Sequence, residues 1–270
     1  MAIFLQGCDL ACGHCHNPET WQVCTGCGQC LPCPGGALEV EGPGLRHRPE
    51  LCLGCDRCLG VCPSHASPRV TTMTVADVLA QAQPWTPYLD GITFSGGECT
   101  LQWEFLLECA PPLRRDLGLP VLLDTNGNMP PVVLEALLPE TDGLLFDIKA
   151  LEPRAHRELT GQDNRRILAN LDRAAAAGKL TEVRLVLLPG VTDDSATVQA
   201  VAWLVRGLGP EVPLRLSPFR SQGVRGAWAQ VASLGAERFR ALCAEGESVL
   251  GARLIRGGEG HGAGGPAVPR

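Results

Sequence analysis

The chain is poor in lysine and in aromatic residues. Only two of its 23 basic residues are lysines, Lys149 and Lys179, and aromatic residues make up 4% of the 270 positions. The 29 acidic residues give a formal net charge of −6, and no basic residues cluster into a stripe. We therefore expect neither a nucleic acid nor an anionic membrane surface as a partner.

The sequence also lacks a long apolar run and a basic leader. No window approaches the roughly 18 apolar residues of a membrane span, and the opening MAIFLQGC has no basic stretch typical of a signal peptide. Secreted disulfide scaffolds are usually short and carry such a leader. With 14 cysteines, the protein is therefore expected in the reducing cytoplasm, with cysteine thiolates serving as metal ligands.

Eleven of the cysteines lie within the first 62 residues, in three groups. Three 4Fe–4S clusters need about twelve cysteine ligands, so this segment offers one fewer. The shortfall falls in the first group, which leaves one iron open to a small molecule and favours an enzyme over an electron carrier. The groups are Cys8, Cys12 and Cys15; Cys24, Cys27, Cys30 and Cys33; and Cys52, Cys55, Cys58 and Cys62.

The second and third groups resemble the cysteine runs of two-cluster bacterial ferredoxins, because each ends in Cys-Pro. In that pattern the fourth cysteine of each run ligates the other cluster. We therefore pair Cys62 with the second group and Cys33 with the third, although the Cys30–Cys33 spacing is one residue shorter than usual. Zinc, which also binds C-x2-C pairs, is the alternative; two tandem runs favour iron–sulfur.

From about residue 72 onward, apolar strands alternate with helices. Continuous apolar strands separated by helices favour a parallel sheet that is covered on both faces. Thr74 and Asp77 are expected to form a capping box at the first helix. The predicted strands are Ala2–Leu5, Gly91–Ser95, Pro120–Thr125, Gly143–Ile148, Glu182–Leu188 and Val212–Ser217, with helices near 74–83, 103–117, 131–138, 163–177, 194–207 and 236–246.

Six βα units predict an α/β fold, a partial (β/α)6 TIM-type barrel rather than the closed barrel of eight units. A small ferredoxin-like iron–sulfur domain is expected as an insert. The predicted organisation is 1–21 for the start of the barrel with its cluster loop, 22–67 for the insert, 68–256 for the rest of the barrel and 257–270 for a disordered Gly-rich tail.

The Cys8-x3-Cys12-x2-Cys15 triad, together with Ser95-Gly96-Gly97-Glu98 at a strand end, resembles the radical S-adenosylmethionine (SAM) superfamily. The resemblance implies that the open iron binds SAM and cleaves it reductively to a 5′-deoxyadenosyl radical. It also implies that His14 contacts the adenine and that Gly96, Gly97 and Glu98 bind the amino group. Taken alone, His14 could be an exposed loop residue, and the second motif a turn with a solvated glutamate.

Cys15-His16-Asn17-Pro18 narrows the resemblance to glycyl-radical-enzyme activases such as pyruvate formate-lyase-activating enzymes. It implies that Asp147 and Lys149 act in catalysis, although a strand-end ion pair is the alternative. Arg220 stands where relatives carry a histidine and is expected to contact the SAM carboxylate. The upstream Asp-Gly-Pro-Gly-x-Arg turn of such activases is missing. The residues expected to line the SAM pocket are His16, Asp124, Asn126, Asp147, Lys149 and Arg184.

We therefore expect an oxygen-sensitive activase that installs a glycyl radical on a partner glycyl radical enzyme. Two auxiliary clusters would carry electrons inward from a donor such as flavodoxin or ferredoxin. A radical SAM enzyme that acts on a small molecule is the first alternative, and a non-catalytic iron–sulfur electron-transfer protein is the second. Cys99 receives no role, and Cys109 and Cys243 are expected in the helical core.

Overall fold

The computed structural model describes residues 1–42 and 44–258. Its centre is a parallel sheet of seven strands in the order β1–β4–β5–β6–β7–β8–β9, and an antiparallel hairpin, β2–β3, lies in the cysteine-rich segment. The strands are β1 (Ala2–Leu5), β2 (Leu38–Glu41), β3 (Gly44–His47), β4 (Ile92–Gly96), β5 (Val121–Thr125), β6 (Gly143–Ile148), β7 (Leu180–Leu187), β8 (Leu214–Pro218) and β9 (Leu254–Arg256).

The helices cover the sheet with two large apolar clusters. One cluster joins β4 and β5 to α2, α3 and α4, and the other joins β6 to β9 with α6, α7 and α8. The helices are α1 (Arg57–Val61), α2 (Val75–Ala82), α3 (Trp103–Arg115), α4 (Pro131–Leu137), α5 (Pro153–Thr160), α6 (Arg165–Ala176), α7 (Ser195–Leu208) and α8 (Ala236–Leu250).

This architecture confirms the α/β fold with a parallel sheet, and its open sheet is consistent with a partial barrel. The capping box of α2 is present, because Thr74 Oγ1 accepts the Asp77 N–H and the Asp77 carboxylate accepts the Thr74 N–H. Cys109 and Cys243 are fully buried in α3 and α8, as expected.

The predicted count of six strands is wrong, because β9 adds a seventh. This strand has only three residues and follows α8 after one short turn, so the sequence contains no run long enough to show it. Helix α5 was also missed, since its eight residues begin at a proline and carry few apolar side chains.

Between β1 and α2 the chain is largely irregular. It contains the hairpin, in which Leu38 is paired with His47, and the five-residue helix α1. At the other end Gly257 N–H donates to Leu216 O at 2.7 Å, so residues 257–258 continue directly from β9. The rest of the expected tail, 259–270, lies outside the described residues.

The sheet ends in two edge strands, β1 and β9. In the described residues β1 pairs only with β4 and β9 only with β8, so the sheet is open between these two strands.

No helix in the described part combines the length and the apolar character that crossing a membrane requires.

Candidate active site at the carboxyl edge of the sheet

The cysteine loop, residues 8–15, follows β1 along the carboxyl edge of the sheet. Helix α5 holds its middle: Ala11 N–H donates to Thr160 O, and Gly13 N–H donates to Leu159 O, both at 3.0 Å. These acceptors are carbonyls at the carboxyl end of the helix, where four such groups lack partners inside a helix. The missed helix therefore positions the three thiols.

The thiols of this loop are poorly hydrated. Burial raises the pKa of Cys8 to about 12 and that of Cys12 to about 11, and the Lys149 ammonium acts against the second shift. Bare thiolates are therefore unfavourable here, and a bound metal ion would supply the positive charge that stabilises them. This environment fits a metal ligand better than a free nucleophile.

Gly96 and Gly97 are required by the close approach of the cysteine loop. A Cβ atom on Gly96, whose φ is +121°, would lie 2.1 Å from Leu5 O, and one on Gly97 would lie 2.2 Å from Gly7 O. The Gly97 N–H donates to Leu5 O at 2.9 Å. The glycines thus admit the backbone of β1 and its loop, as well as lining the site.

Glu98 ties this turn to the loop after β5. Its carboxylate is buried and accepts hydrogen bonds from Thr100 N–H, Thr100 Oγ1, Thr125 Oγ1 and Asn126 N–H, at 3.1, 2.6, 2.8 and 2.7 Å. Burial raises the pKa of Glu98 to about 7 in spite of these donors. Asn126 in turn donates to the Asp9 carboxylate at 2.9 Å.

Arg184 belongs to a chain of charges beneath the site. Its guanidinium donates to Asp124 Oδ1 at 3.1 Å and to Glu182 Oε1 at 2.5 Å, and Arg215 also pairs with the fully buried Glu182. Ser95 Oγ donates to Asp124 Oδ2 at 2.9 Å. The arginine therefore fixes the Asp124 carboxylate instead of facing a ligand itself.

Asp147 and Lys149 form an ion pair at the end of β6. Lys149 Nζ lies 2.7 Å from Asp147 Oδ2, as the two-residue period of a strand predicts. Burial alone lowers the pKa of Lys149, but Asp147 and the Cys12 thiol outweigh it and raise the pKa above its usual value. Burial raises the pKa of Asp124, and the nearby Asp147 carboxylate adds to this shift.

His14 is buried, so the interpretation of this residue as an exposed loop histidine is wrong. Its ring packs edge-on against Trp228 with 6.1 Å between centroids, and Trp228 packs against Phe219 in the same way. Burial, followed by the Lys149 charge, lowers the pKa of His14 to about 3. The neutral imidazole keeps Nδ1 without a hydrogen-bond partner among the described residues.

These elements enclose one cavity, the site cavity, between the cysteine loop and the carboxyl ends of β4, β5 and β6. Most of the predicted residues line it. They are Cys8, Cys12, His14, Cys15, His16, Gly96, Gly97, Asp124, Asn126, Asp147 and Lys149.

Three predicted site residues do not line the site cavity. Glu98 and Arg184 lie behind it and hold Asn126 and Asp124 in place. Arg220 lines a neighbouring cavity together with Arg240, because it follows Phe219, whose ring is buried against His16. Adjacent residues of an extended segment point in opposite directions, so Arg220 is absent from the lining of the site cavity, and its contact with the SAM carboxylate stays a prediction.

Sequence reasoning missed several lining residues. Asn17 and Ser95 lie within the motifs and could have been included. Trp228, which covers the cysteine loop, carries no signal at all because it is more than 200 positions away in the chain. The missed lining residues are Leu10, Asn17, Thr20, Trp21, Ser95, Thr125 and Val186.

The remaining cysteines of the first 62 residues surround two small cavities. The eleven cysteines of this segment are free thiols. In the described residues no three His, Cys, Asp or Glu side chains are arranged as ligands of a single metal ion. The Cys62 cavity is lined by Cys24, Cys27, Cys30, Cys58 and Cys62, and the Cys33 cavity by Cys30, Cys33, Cys52, Cys55 and Cys58.

Cys33 has surroundings that suit a thiolate. The N–H groups of Ala37, Gly35, Leu38 and Gly36 face its sulfur, and these hydrogen bonds lower the pKa of Cys33. Hydrogen bonds to the charged form of a group favour that form. These hydrogen bonds therefore favour the deprotonated form of Cys33.

Comparison with known proteins agrees with this geometry. Residues 2–200 match the radical SAM superfamily. The isethionate sulfite-lyase activating enzyme of Nitratidesulfovibrio vulgaris is 32% identical and aligns with 83% of this chain and 79% of its own length. The pyruvate formate-lyase-activating enzyme of Streptococcus mutans is 28% identical, with 82% and 71% covered.

Among solved structures, a domain of the pyruvate-formate lyase-activating enzyme of Bacteroides vulgatus shares the fold. Its TM-score is 0.52 at 23% identity, and the match covers 63% of this chain and 100% of that domain. The match to residues 2–200 spans the strand ends that form the site cavity. The chain therefore belongs to the radical SAM superfamily, within its family of activating enzymes.

Proposed function

We propose that this enzyme binds SAM and a 4Fe–4S cluster in the site cavity and removes a Cα hydrogen from a glycine of a partner glycyl radical enzyme. One observation carries the proposal: three thiols, two carboxylates, an ammonium group and the Gly96–Gly97 backbone converge on one cavity at the carboxyl edge of a parallel sheet. Active sites of barrels of this type lie at that edge.

The residues present fit these groups. Cys8, Cys12 and Cys15 supply three thiolates, one fewer than a cubane binds, which leaves one iron for SAM. Asp124 and Asp147 offer acceptors for an ammonium group, and Lys149 offers a cation for a carboxylate. The unpartnered His14 Nδ1 offers a hydrogen-bonding atom to a base.

Bound together, the cluster and SAM supply a 5′-deoxyadenosyl radical through one-electron cleavage of the sulfonium. The chain's own residues orient the reactants and exclude water. Trp228 and Phe219 close the apolar side behind His14. Glu98 keeps Asn126 against Asp9, so the cysteine loop and the strand ends keep one geometry.

We further propose a ferredoxin-like insert with one auxiliary 4Fe–4S cluster in each cysteine cavity. Each predicted set of four ligands surrounds one cavity, which supports this pairing. Trp21, which lines the site cavity, packs edge-on against His65, 6.4 Å between centroids, and His65 lies between two residues that line the Cys62 cavity. The Cys62 cavity is therefore the cysteine cavity nearer to the site cavity. We propose a flavodoxin or a ferredoxin as the external electron donor.

A protein substrate also suits the open sheet. The edges formed by β1 and β9 leave a lateral gap in the described fold, which gives a glycine-bearing loop a route to the cavity. A small-molecule substrate remains the alternative, and it would require turnover without any partner protein.

The test is anaerobic reconstitution, followed by iron analysis, EPR spectroscopy of the reduced protein with and without SAM, and assay of 5′-deoxyadenosine release. About twelve irons per chain, as three cubanes require, and a SAM-dependent change in one EPR signal are expected. Cys12→Ala should abolish that change. Cys109→Ala, which replaces a core cysteine that lines none of the three cavities, should retain it.

Absence of any SAM effect in the wild-type protein would refute the proposal and favour an electron carrier. Release of 5′-deoxyadenosine that depends on a metabolite, with no EPR signal of a glycyl radical on any partner tested, would favour the small-molecule alternative.

A further inference from the structure

The two cysteine cavities differ in charge. Basic side chains at the Cys33 cavity are His47, Arg57 and Arg69, with the single carboxylate of Asp56. The described residues that line the Cys62 cavity include no charged side chain apart from its cysteines. The proposed function uses none of the basic residues.

His47 is the first of two residues that face the Cys33 cavity. It ends β3, and its Nε2 atom is fully buried without a hydrogen-bond partner in the part of the chain that is described. Leaving such a buried group unpaired costs about 1–3 kcal/mol, so a native structure normally provides a partner. Five thiols line the same cavity, so sulfur atoms are the most numerous acceptors available to His47.

Arg69 is the second. Its guanidinium lies 2.8 Å from the Asp56 carboxylate, hydrogen-bonds the Cys52 thiol, and interacts electrostatically with the Cys58 thiol. The Asp56 side chain is 64% exposed, so water screens much of its charge, whereas the Arg69 side chain is 26% exposed. Arginine has N–H donors and cannot lose its charge in a protein. It therefore presents a permanent cation to this cavity.

We propose that His47 and Arg69 donate hydrogen bonds to sulfur atoms in the Cys33 cavity and hold that auxiliary cluster at a higher reduction potential than the one in the Cys62 cavity. One-electron reduction by the donor adds a negative charge, and N–H donors and cations stabilise the reduced form. The inference rests on the proposed function, since it requires both auxiliary clusters.

The difference between the cavities has a functional consequence. Trp21 and His65 place the Cys62 cavity beside the site cavity. The cluster of lower potential, and so the stronger reductant, is then the one next to SAM. The cluster that is easier to reduce takes the electron from the external donor.

The experiment is an anaerobic redox titration of the full reconstituted chain, with each cluster followed by EPR. The wild-type protein should show two separate auxiliary potentials. His47→Leu should lower the higher one so that its reduced-to-oxidised ratio at a fixed potential falls about tenfold, which is about 59 mV for one electron. Arg69→Leu should shift the same potential in the same direction.

Two matched variants separate this role from a structural one. His47→Gln keeps an N–H donor and should restore most of the lost potential. Arg46→Gln removes a cation from the same strand. The Arg46 side chain is exposed and lines neither cysteine cavity, so both potentials should stay unchanged.

The inference would be overturned by equal auxiliary potentials in the wild type or by the absence of a shift in His47→Leu. A loss of about four irons in that variant would also overturn it, because His47 would then be a ligand. Wild-type protein with about four irons that still cleaves SAM would overturn the inference and leave the activase function standing. Protein that holds two auxiliary clusters but shows no SAM effect would refute the activase function and leave the inference standing.

Discussion

Glu98→Gln distinguishes two roles of the turn at the end of β4. The hydrogen bonds of Glu98 indicate a buried structural role, whereas its motif implies a ligand for the SAM amino group. Oε1 accepts three hydrogen bonds, and Oε2 accepts the Asn126 N–H at 2.7 Å. A glutamine keeps one acceptor but points an NH2 group at the Asn126 N–H. The variant therefore loses one hydrogen bond and buries two unpaired donors.

Each buried unpaired donor costs about 1–3 kcal/mol, so the expected loss in the free energy of unfolding is about 2–5 kcal/mol. The assay is anaerobic urea unfolding at about pH 8, followed by far-ultraviolet circular dichroism and compared at constant m value. Glu152→Gln is the control. Glu152 also accepts two backbone N–H groups, Arg154 and Ala155, but it is exposed at the start of α5, and its loss should be about 1 kcal/mol or less.

The second quantity to measure in Glu98→Gln is the dissociation constant of SAM. If Glu98 supports Asn126 from behind, stability falls in step with any weakening of SAM binding. Weaker SAM binding with unchanged stability would falsify the structural role and return Glu98 to the amino-group site that its motif implies.

Three further predictions follow from the same contacts. Burial raises the pKa of Glu98 from 4.5 to about 7, so its contribution to stability is present below about pH 4.5 and is lost as the pH rises to about 7. The stability difference between wild type and Glu98→Gln should therefore shrink by up to about 3 kcal/mol over that range, measured by unfolding from about pH 5.5 upward; a constant difference would contradict the shift. Gly97→Ala should displace the cysteine loop, because the new Cβ would lie 2.2 Å from Gly7 O, and iron analysis should show a loss of about four irons; Gly118→Ala, at an open position, controls for backbone strain. Arg184→Leu leaves the Asp124 and Glu182 carboxylates without this partner and should cost about 3–5 kcal/mol, whereas Arg154→Leu, in an exposed pair, should cost less than about 1 kcal/mol; equal losses in urea unfolding would refute the buried chain of charges.

Much of the fold could be predicted from the sequence because it depends on local patterns. Apolar runs of four to eight residues between turns gave six of the seven strands of the parallel sheet, and Thr74 with Asp77 gave the start of α2. Helix α5 and strand β9 escaped because both are short and α5 carries few apolar side chains. Tertiary packing stabilises such elements, and a local pattern does not record it.

For the site, the sequence by itself determined which residue types meet at the carboxyl edge, since motif spacing places thiols, glycines and carboxylates at the ends of known strands. Only the tertiary structure decided which of them face the cavity. Glu98 and Arg184 carry the expected charge, but their partners, Asn126 and Asp124, are 28 and 60 positions away. A buried charge points toward whatever satisfies it, and those partners come together only when distant strands lie side by side.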